Sequence, residues 1–294
     1  MFQGGVSCPI CGFETLNIGT KTGKFNKIDF YLWRCPSCRY AFVSNPWTEY
    51  DKIYSEAYYK GEGPDPCIDY IFEMDHPDIS IREYEYRGIL GIVSSLKRVN
   101  RHTRWLDYGC GHGGLVRYCR EHAGCEIFGF DRGWIRARAS SHGIPCLEWD
   151  DLREAGTEGG FDVVTAIEVL EHVDNPDQFL QIIHSLLKPG GLFFYTTGNA
   201  EPFRNRLLTW RYVIPEIHIG FFEPATLVHA LRQAGFRPES PGFLPGHVDI
   251  IRFKILKNLG VRTKSRWERT VPWAILARVV DKMYGISALP IAWG

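Results

Sequence analysis

The apolar residues of this chain follow a regular pattern from Arg104 onward and weaker patterns on either side. In the regular part, short apolar runs alternate with segments whose apolar residues recur every three or four positions. Short runs predict buried strands, and the longer period predicts helices. The predicted strands are 105–107, 126–130, 144–147, 161–167, 192–196 and 237–244; the predicted helices are 115–123, 135–141, 176–187 and 224–234. This alternation is typical of an α/β fold, with a parallel sheet covered by helices on both faces.

The flanking regions are less regular. Residues 30–33 and 40–43 predict short strands, residues 44–79 a Pro- and Tyr-rich connector with short helices, and residues 80–98 a helix. The connector tyrosines either line a cavity or only pack the connector onto the main domain; they are Tyr54, Tyr58 and Tyr59. At the other end we expect a mostly helical insert over 247–284 and a last antiparallel strand near 286–293. Alternatively, 248–256 is that strand and the remainder is a helical tail.

Two CxxC pairs stand near the N-terminus, Cys8 with Cys11 and Cys35 with Cys38, separated by 23 residues. Paired knuckles at this spacing predict a zinc ribbon, in which four thiolates form a closed, structural site. The alternative is four ordinary buried cysteines. We therefore predict four regions: a zinc ribbon (1–45), a connector with N-terminal helices (46–100), a core (101–245) and a basic, mostly helical tail (246–294).

Charge and composition narrow the possible partners. The formal net charge is +0, so the chain does not have the basic character of a nucleic-acid-binding protein. From Arg252 to Lys282, however, nine Lys or Arg accompany two acids. The simpler interpretation of this basic segment is a solvated face. The alternatives are peripheral contact with an anionic membrane or substrate, a lid, and a homodimer contact. No apolar run is long enough for a membrane span, and the first residues lack signal-peptide features, which predicts a cytoplasmic protein with reduced cysteines.

The central motif is W-L-D-Y-G-C-G-H-G-G, from Trp105 to Gly114. It predicts a strand, a glycine turn and a helix start, a junction that directs backbone N–H groups at a ligand. The glycines also match the dinucleotide fingerprint, and Asp131 lies where the ribose-binding acid would be, so an NAD(P)-dependent oxidoreductase is one hypothesis. Asp107 argues against it, because a carboxylate at this point repels a pyrophosphate and attracts an ammonium group.

Three motifs resemble the class I S-adenosylmethionine-dependent methyltransferases over about residues 80–245: L-D-Y-G-C-G-H-G, F-D-V-V-T-A-I-E-V-L-E-H-V and L-L-K-P-G-G. The second is similar to small-molecule O-methyltransferases of the quinone-biosynthesis type. Together with the ribbon, the set also resembles methyltransferases that modify sugars, polysaccharide precursors or secondary metabolites. The resemblance implies a Rossmann-like, seven-stranded sheet and S-adenosylmethionine as cofactor.

The resemblance also implies roles for individual residues. The glycine turn would approach the methionine part of the cofactor, Asp107 its ammonium and Asp131 its ribose hydroxyls. Asp150, or else Asp151, would accept from the adenine amino group. The full predicted cofactor set is Asp107, Tyr108, Gly109, Cys110, Gly111, Asp131, Arg132, Asp150, Asp151, Ile167 and Glu168.

A hydroxyl acceptor must lose its proton during methyl transfer, so a base is useful. His172 is the first candidate, His218 the second, and Glu168 accompanies them as a catalytic candidate. The E-x-x-E-H stretch, Glu168 with Glu171 and His172, is a possible divalent-cation site. For each histidine, a purely structural role is the alternative.

The sequence therefore favours a methyltransferase for a small molecule, with O-methylation of a sugar, polysaccharide precursor or secondary metabolite preferred. The alternatives are a C-methyltransferase for a nucleotide sugar, the NAD(P)-dependent oxidoreductase and a non-catalytic zinc-ribbon adaptor. RNA methylation is disfavoured, because the chain is neutral and lacks an N/D-P-P-Y-type motif after the fourth predicted strand.

Overall fold

A computed structural model gives the fold and describes residues 5–65, 69–157 and 160–294. In chain order the strands are β1 (Leu16–Thr22), β2 (Asp29–Arg34), β3 (Ala41–Val43), β4 (Arg104–Tyr108), β5 (Glu126–Phe130), β6 (Phe161–Ile167), β7 (Leu187–Thr196), β8 (Gly220–Phe221), β9 (Arg237–Glu239) and β10 (Ile291–Trp293). The α-helices are α1 (Tyr50–Ile53), α2 (Glu56–Tyr59), α3 (Tyr70–Asp75), α4 (Arg82–Leu96), α5 (Gly114–Ala123), α6 (Gly133–Ser141), α7 (Trp149–Thr157), α8 (Pro176–Leu186), α9 (Pro224–Gln233), α10 (Gly246–Asn258) and α11 (Trp273–Tyr284).

The larger sheet has the strand order β5-β4-β6-β7-β10-β9. Its first four strands are parallel, and β10 runs antiparallel between β7 and β9. Val163 of β6 packs with apolar residues of α4, α5 and α10, whereas Val164 packs with those of α8 and α9. Helices thus cover both faces, so the Rossmann-like α/β prediction is confirmed, as is the last antiparallel strand.

Three details differ from the predicted elements. Residues 144–147 form only one parallel bridge, between Gly129 and Cys146, because Pro145 has no N–H to donate. The seventh strand of the sheet is therefore reduced to that bridge. The strand predicted over 237–244 stops at Glu239, before a second proline, Pro241. The alternative strand over 248–256 is wrong, since these residues belong to α10.

The smaller sheet has the order β1-β2-β3-β8, and all its pairs are antiparallel. β8 comes from the segment that precedes α9, so the CxxC region and the main domain share a sheet. Arg34 forms an ion pair with Glu223, and the Thr226 hydroxyl donates to the Cys38 carbonyl at 2.7 Å. The predicted boundary at residue 45 stays a prediction, but strand pairing crosses it.

Helix α10 crosses α4 at a close contact between two glycines. A Cβ atom on Gly246 would lie 2.3 Å from the carbonyl oxygen of Gly88, so only glycine permits this approach. The crossing brings one side of α10, including Lys254 and Lys257, over the carboxyl ends of the strands. The insert after β9 thereby contributes directly to the cavity described below.

Candidate active site

A cavity of about 1550 Å³ lies at the carboxyl ends of β4, β5 and β6. Ligands of open α/β sheets bind at this edge. The connector helices, α10 and the segment before β8 form its other walls. The cavity collects nearly all the predicted cofactor residues: Asp107, Tyr108, Gly109, Cys110, Gly111, Asp131, Arg132, Ile167 and Glu168.

The glycine turn between β4 and α5 requires its glycines for conformation and for space. Gly109 and Gly111 have φ of +79° and +54°. A Cβ on Gly109 would also lie 2.5 Å from the Val169 side chain. The N–H groups of Gly109 and Cys110 donate to the Phe130 carbonyl at 2.7 and 3.0 Å, which ties the turn to the end of β5.

Asp131 connects the end of β5 to the same turn. One carboxylate oxygen accepts from the Gly111 N–H and the other from the Arg132 N–H, both at 2.7 Å. Burial raises the pKa of this carboxyl group. Each oxygen keeps a second lone pair, so the carboxylate can accept two further hydrogen bonds from a ligand in the cavity.

Asp107 lies deeper, with 3% of its surface exposed. Its Oδ1 accepts from the Thr165 hydroxyl at 2.8 Å. Burial raises the pKa of Asp107 to about 7, and the Thr165 hydrogen bond only partly opposes that shift. A cation placed against this carboxyl group would stabilise its charged form.

Asp150 and Asp151 do not line the cavity. Both lie exposed in the first turn of α7, where an Asp151 oxygen accepts from the Glu148 N–H at 3.1 Å. Leu152, the next residue, is 1% exposed and packs into the core. The part of Asp150 or Asp151 in adenine recognition stays a prediction.

Within the acid-rich stretch after β6, Glu168 has a different partner from Glu171 and His172. Glu168 has a φ of +53° and accepts from Lys254 of α10 at 2.8 Å. Burial favours the neutral acid, but the Lys254 ammonium outweighs it and holds the pKa of Glu168 at about 2. Glu168 is therefore a charged group that already has a cationic partner.

Glu171 is completely buried and accepts two hydroxyl groups. Tyr212 donates to one of its oxygens at 2.5 Å and Thr197 to the other at 2.8 Å. Burial, followed by the nearby charge of Glu168, raises the pKa of Glu171. These two hydroxyls fix the orientation of the carboxyl group beside the histidines.

His172 and His218 face each other, with ring centroids 5.0 Å apart. Nδ1 of His172 donates to the Ile217 carbonyl at 2.9 Å, and Nδ1 of His218 to the Tyr212 carbonyl at 2.5 Å. Since carbonyl oxygens only accept, each neutral ring keeps its Nε2 lone pair free for another partner. Burial lowers the pKa of His172 to about 4 and also lowers that of His218.

The possible metal cluster differs from the predicted one. One ligand atom each from Glu171, His172 and His218 lies within 4.8 Å of the others. Glu168, which we predicted in this cluster, is paired with Lys254 instead. Two imidazoles and one carboxylate are a donor set that suits a divalent transition metal.

Several cavity residues were missed by the sequence analysis. Arg82 and Glu85 of α4 form a buried ion pair at 2.7 Å, and Lys257 of α10 also lines the cavity. None belongs to a recognisable motif. The connector tyrosines do line the cavity and are also largely buried: Tyr54, Tyr58 and Tyr59. Packing and cavity lining, which we had set against each other, thus both apply.

The four N-terminal cysteines form one compact cluster. Their sulfur atoms lie within 4.8 Å of one another, with Cys8–Cys38 and Cys11–Cys35 contacts of 3.5 Å. No disulfide joins them. A tetrahedral zinc site needs sulfur–sulfur distances of about 3.8 Å, so the cluster fits such an ion.

None of the helices in the described part of the chain has the length and apolar character to span a bilayer.

A family model described as "Methyltransferase domain" matches residues 81–240, more than half of the 294-residue chain. A ubiquinone biosynthesis O-methyltransferase of Bordetella avium is 33% identical over 151 residues, or 46% of this chain and 62% of that protein. Its counterpart in Acinetobacter baylyi is 29% identical over 149 residues, or 45% and 62%. The chain thus spans about three-fifths of these curated relatives. A solved methyltransferase structure from Archaeoglobus fulgidus has 19% identity, covering 76% of this chain and 99% of that one, with a TM-score of 0.45.

Proposed function

This chain belongs to the class I S-adenosylmethionine-dependent methyltransferases, and from that premise we propose that it transfers the cofactor's methyl group to a small-molecule acceptor. The observation that carries the proposal is the convergence of Asp107, Asp131 and the glycine turn on one cavity. In this proposal the Asp131 carboxylate accepts both ribose hydroxyls, and Asp107 faces the ammonium of the methionine part. The glycines of the turn let the backbone come close to the methionine part.

We propose a hydroxyl as the acceptor group. The curated relatives are named O-methyltransferases, which supports oxygen over carbon or nitrogen. His172 and His218 support it too, because a buried neutral imidazole with a free Nε2 can take the hydroxyl proton. A sugar, polysaccharide precursor or secondary metabolite remains the proposed acceptor class, on the resemblance that includes the ribbon.

Two metal proposals accompany this function. Zn²⁺ held by the four cysteines would be structural, since four thiolates leave no open position. As the alternative to a histidine base, a divalent cation held by Glu171, His172 and His218 would occupy both Nε2 atoms and lower the pKa of an acceptor hydroxyl. The Nδ1 hydrogen bonds of both histidines support the second proposal, because they orient Nε2 as ligating histidines require.

Calorimetry with S-adenosylhomocysteine, NAD and NADP tests the function. We expect S-adenosylhomocysteine alone to bind, and roughly fivefold more weakly at pH 6 than at pH 7.5. The pKa of Asp107 is about 7 in the free protein, so at pH 6 the carboxyl group must lose a proton before it faces an ammonium. The dependence should vanish in Asp107→Asn.

NAD binding without S-adenosylhomocysteine binding would refute the methyltransferase proposal and revive the oxidoreductase hypothesis. Tight S-adenosylhomocysteine binding with no pH dependence would refute only the role of Asp107. If neither S-adenosylhomocysteine nor a dinucleotide binds, the result supports the non-catalytic adaptor. An acceptor panel of catechols, free sugars and nucleotide sugars, followed by S-adenosylhomocysteine release, identifies the acceptor class, and NMR of the methylated product then separates O- from C-methylation.

His172→Gln is expected to lower turnover on the best acceptor of that panel by roughly 100-fold, because general-base catalysis contributes about that much or more. S-adenosylhomocysteine affinity should change little. His142→Gln, on an exposed histidine outside the cavity, is the matched control. If turnover in His172→Gln is unchanged, His172 is not the base. If the wild type loses turnover on chelation and Mn²⁺ restores it, His172 is assigned to the cation site.

A further inference from the structure

Helix α11 exposes an apolar stripe that nothing in the described part of the chain covers. Ile275, Val279 and Met283 are 68%, 51% and 61% exposed. They recur every four residues, so they form one ridge about 12 Å long. The opposite side of the helix packs on α10 through residues that include the fully buried Ala277. The ridge is therefore a surface feature of a firmly attached helix.

Cations lie beside this ridge. Arg278 and Lys282 are exposed and occupy the next helical row, and Arg278 also lies 4.8 Å from the Phe243 ring centre. Just before the helix, Trp267 is 50% exposed between the exposed side chains of Arg266 and Arg269. Among the described residues, no ion pair joins any of these four cations to an acid.

The acids of the same segment are engaged by other groups. Glu268 is fully buried and accepts from Arg252 at 2.9 Å and from the Ser265 N–H at 2.7 Å. The half-buried Asp281 carboxylate accepts from the N–H and the hydroxyl of Ser287 at 2.6 and 2.7 Å. Residues 266–284 therefore combine exposed apolar and aromatic side chains with four exposed cations that form no ion pair with either of these acids.

We propose that residues 266–284 bind the surface of an anionic phospholipid bilayer. An interfacial helix needs an apolar ridge parallel to its axis, flanking cations and an aromatic residue at the headgroup level, and this segment supplies all three. The unpaired positive charge selects a negatively charged surface. This inference does not depend on the methyltransferase proposal.

Co-sedimentation of the full chain with vesicles tests it. We expect about tenfold stronger binding to phosphatidylcholine vesicles containing phosphatidylglycerol than to phosphatidylcholine alone, and weaker binding at high salt. Lys282→Gln should lower binding about fivefold, the usual effect of one cation near such a surface. Ile275→Asp with Val279→Asp should abolish binding.

The controls change similar residues elsewhere. Leu16→Asp replaces a side chain that is 62% exposed on β1, and Arg232→Gln removes an exposed cation of α9. Both should bind vesicles like the wild type. Absence of vesicle binding, or equal loss in the controls, would overturn the proposal. If the wild type dimerises in solution and Ile275→Asp is monomeric and no vesicles are bound, the ridge is a contact between two copies instead.

Discussion

Replacement of Asp131 by alanine is expected to weaken S-adenosylhomocysteine binding at least about 100-fold. The variant loses two charge-assisted hydrogen bonds to the ribose. It also loses the two bonds that hold the Gly111 and Arg132 N–H groups, so the glycine turn loses one of its attachments to the end of β5. Calorimetry on the folded variant measures the effect. The melting temperature should change little, because the Phe130 carbonyl still accepts from the Gly109 and Cys110 N–H groups.

Two further substitutions make this result specific. Asp177→Ala removes a half-buried carboxylate of α8 that lies outside the cavity and should leave binding unchanged. Asp150→Ala tests the prediction that Asp150 binds the adenine amino group. Asp150 lies outside the cavity in this structure, so only weaker S-adenosylhomocysteine binding by this variant would support that prediction. An affinity within threefold of the wild type in Asp131→Ala would show that the ribose is held elsewhere.

Cys8→Ser is expected to remove the bound zinc, of which we predict one per chain, and to unfold the ribbon locally. Structural zinc sites stabilise small domains directly. Because β3 pairs with β8, the loss should spread to the segment before α9, which carries His218 and Tyr212. Hydrogen exchange should therefore rise at residues 41–43 and 212–222, while S-adenosylhomocysteine affinity stays within about threefold.

Cys125→Ser is the control, since Cys125 is buried outside the cluster. It should keep its zinc and its exchange pattern. If Cys8→Ser loses zinc but residues 212–222 keep their protection, the ribbon is a separate unit and the shared sheet does not couple it to the active site.

The wall of the cavity that carries the glycine turn could be predicted, because its residues are close in sequence to recognisable turns. Asp107, the glycine turn and Asp131 follow two neighbouring parallel strands, so their meeting at one sheet edge follows from the fold. The turn requires glycines because its φ values are positive, and the Asp107 and Asp131 carboxylates accept hydrogen bonds where they lie. The same reasoning failed at residues 144–147, where an apolar run predicted a strand but Pro145 at the sheet edge left only one bridge.

The acceptor side could not be predicted, because it is assembled from distant segments. Lys254 reaches Glu168 only because α10 crosses α4 at Gly88 and Gly246, and helix crossings leave no local pattern. His218 joins Glu171 through loop hydrogen bonds, so the E-x-x-E-H spacing could not predict that it lies beside Glu171 and His172. Ion-pair partners of this kind become visible only once the fold is known.

The pairing of β3 with β8 also has a consequence for how the chain folds. Phe42 is paired with Gly220, so the smaller sheet cannot be completed until most of the chain has been synthesised. Until then β3 has an unpaired edge, which can pair wrongly with another chain. Contacts so far apart in sequence have a high entropic cost and form late in folding. Early zinc binding at the cysteines would shorten the period in which that edge is mobile, so refolding yield should depend on whether zinc is present from the start.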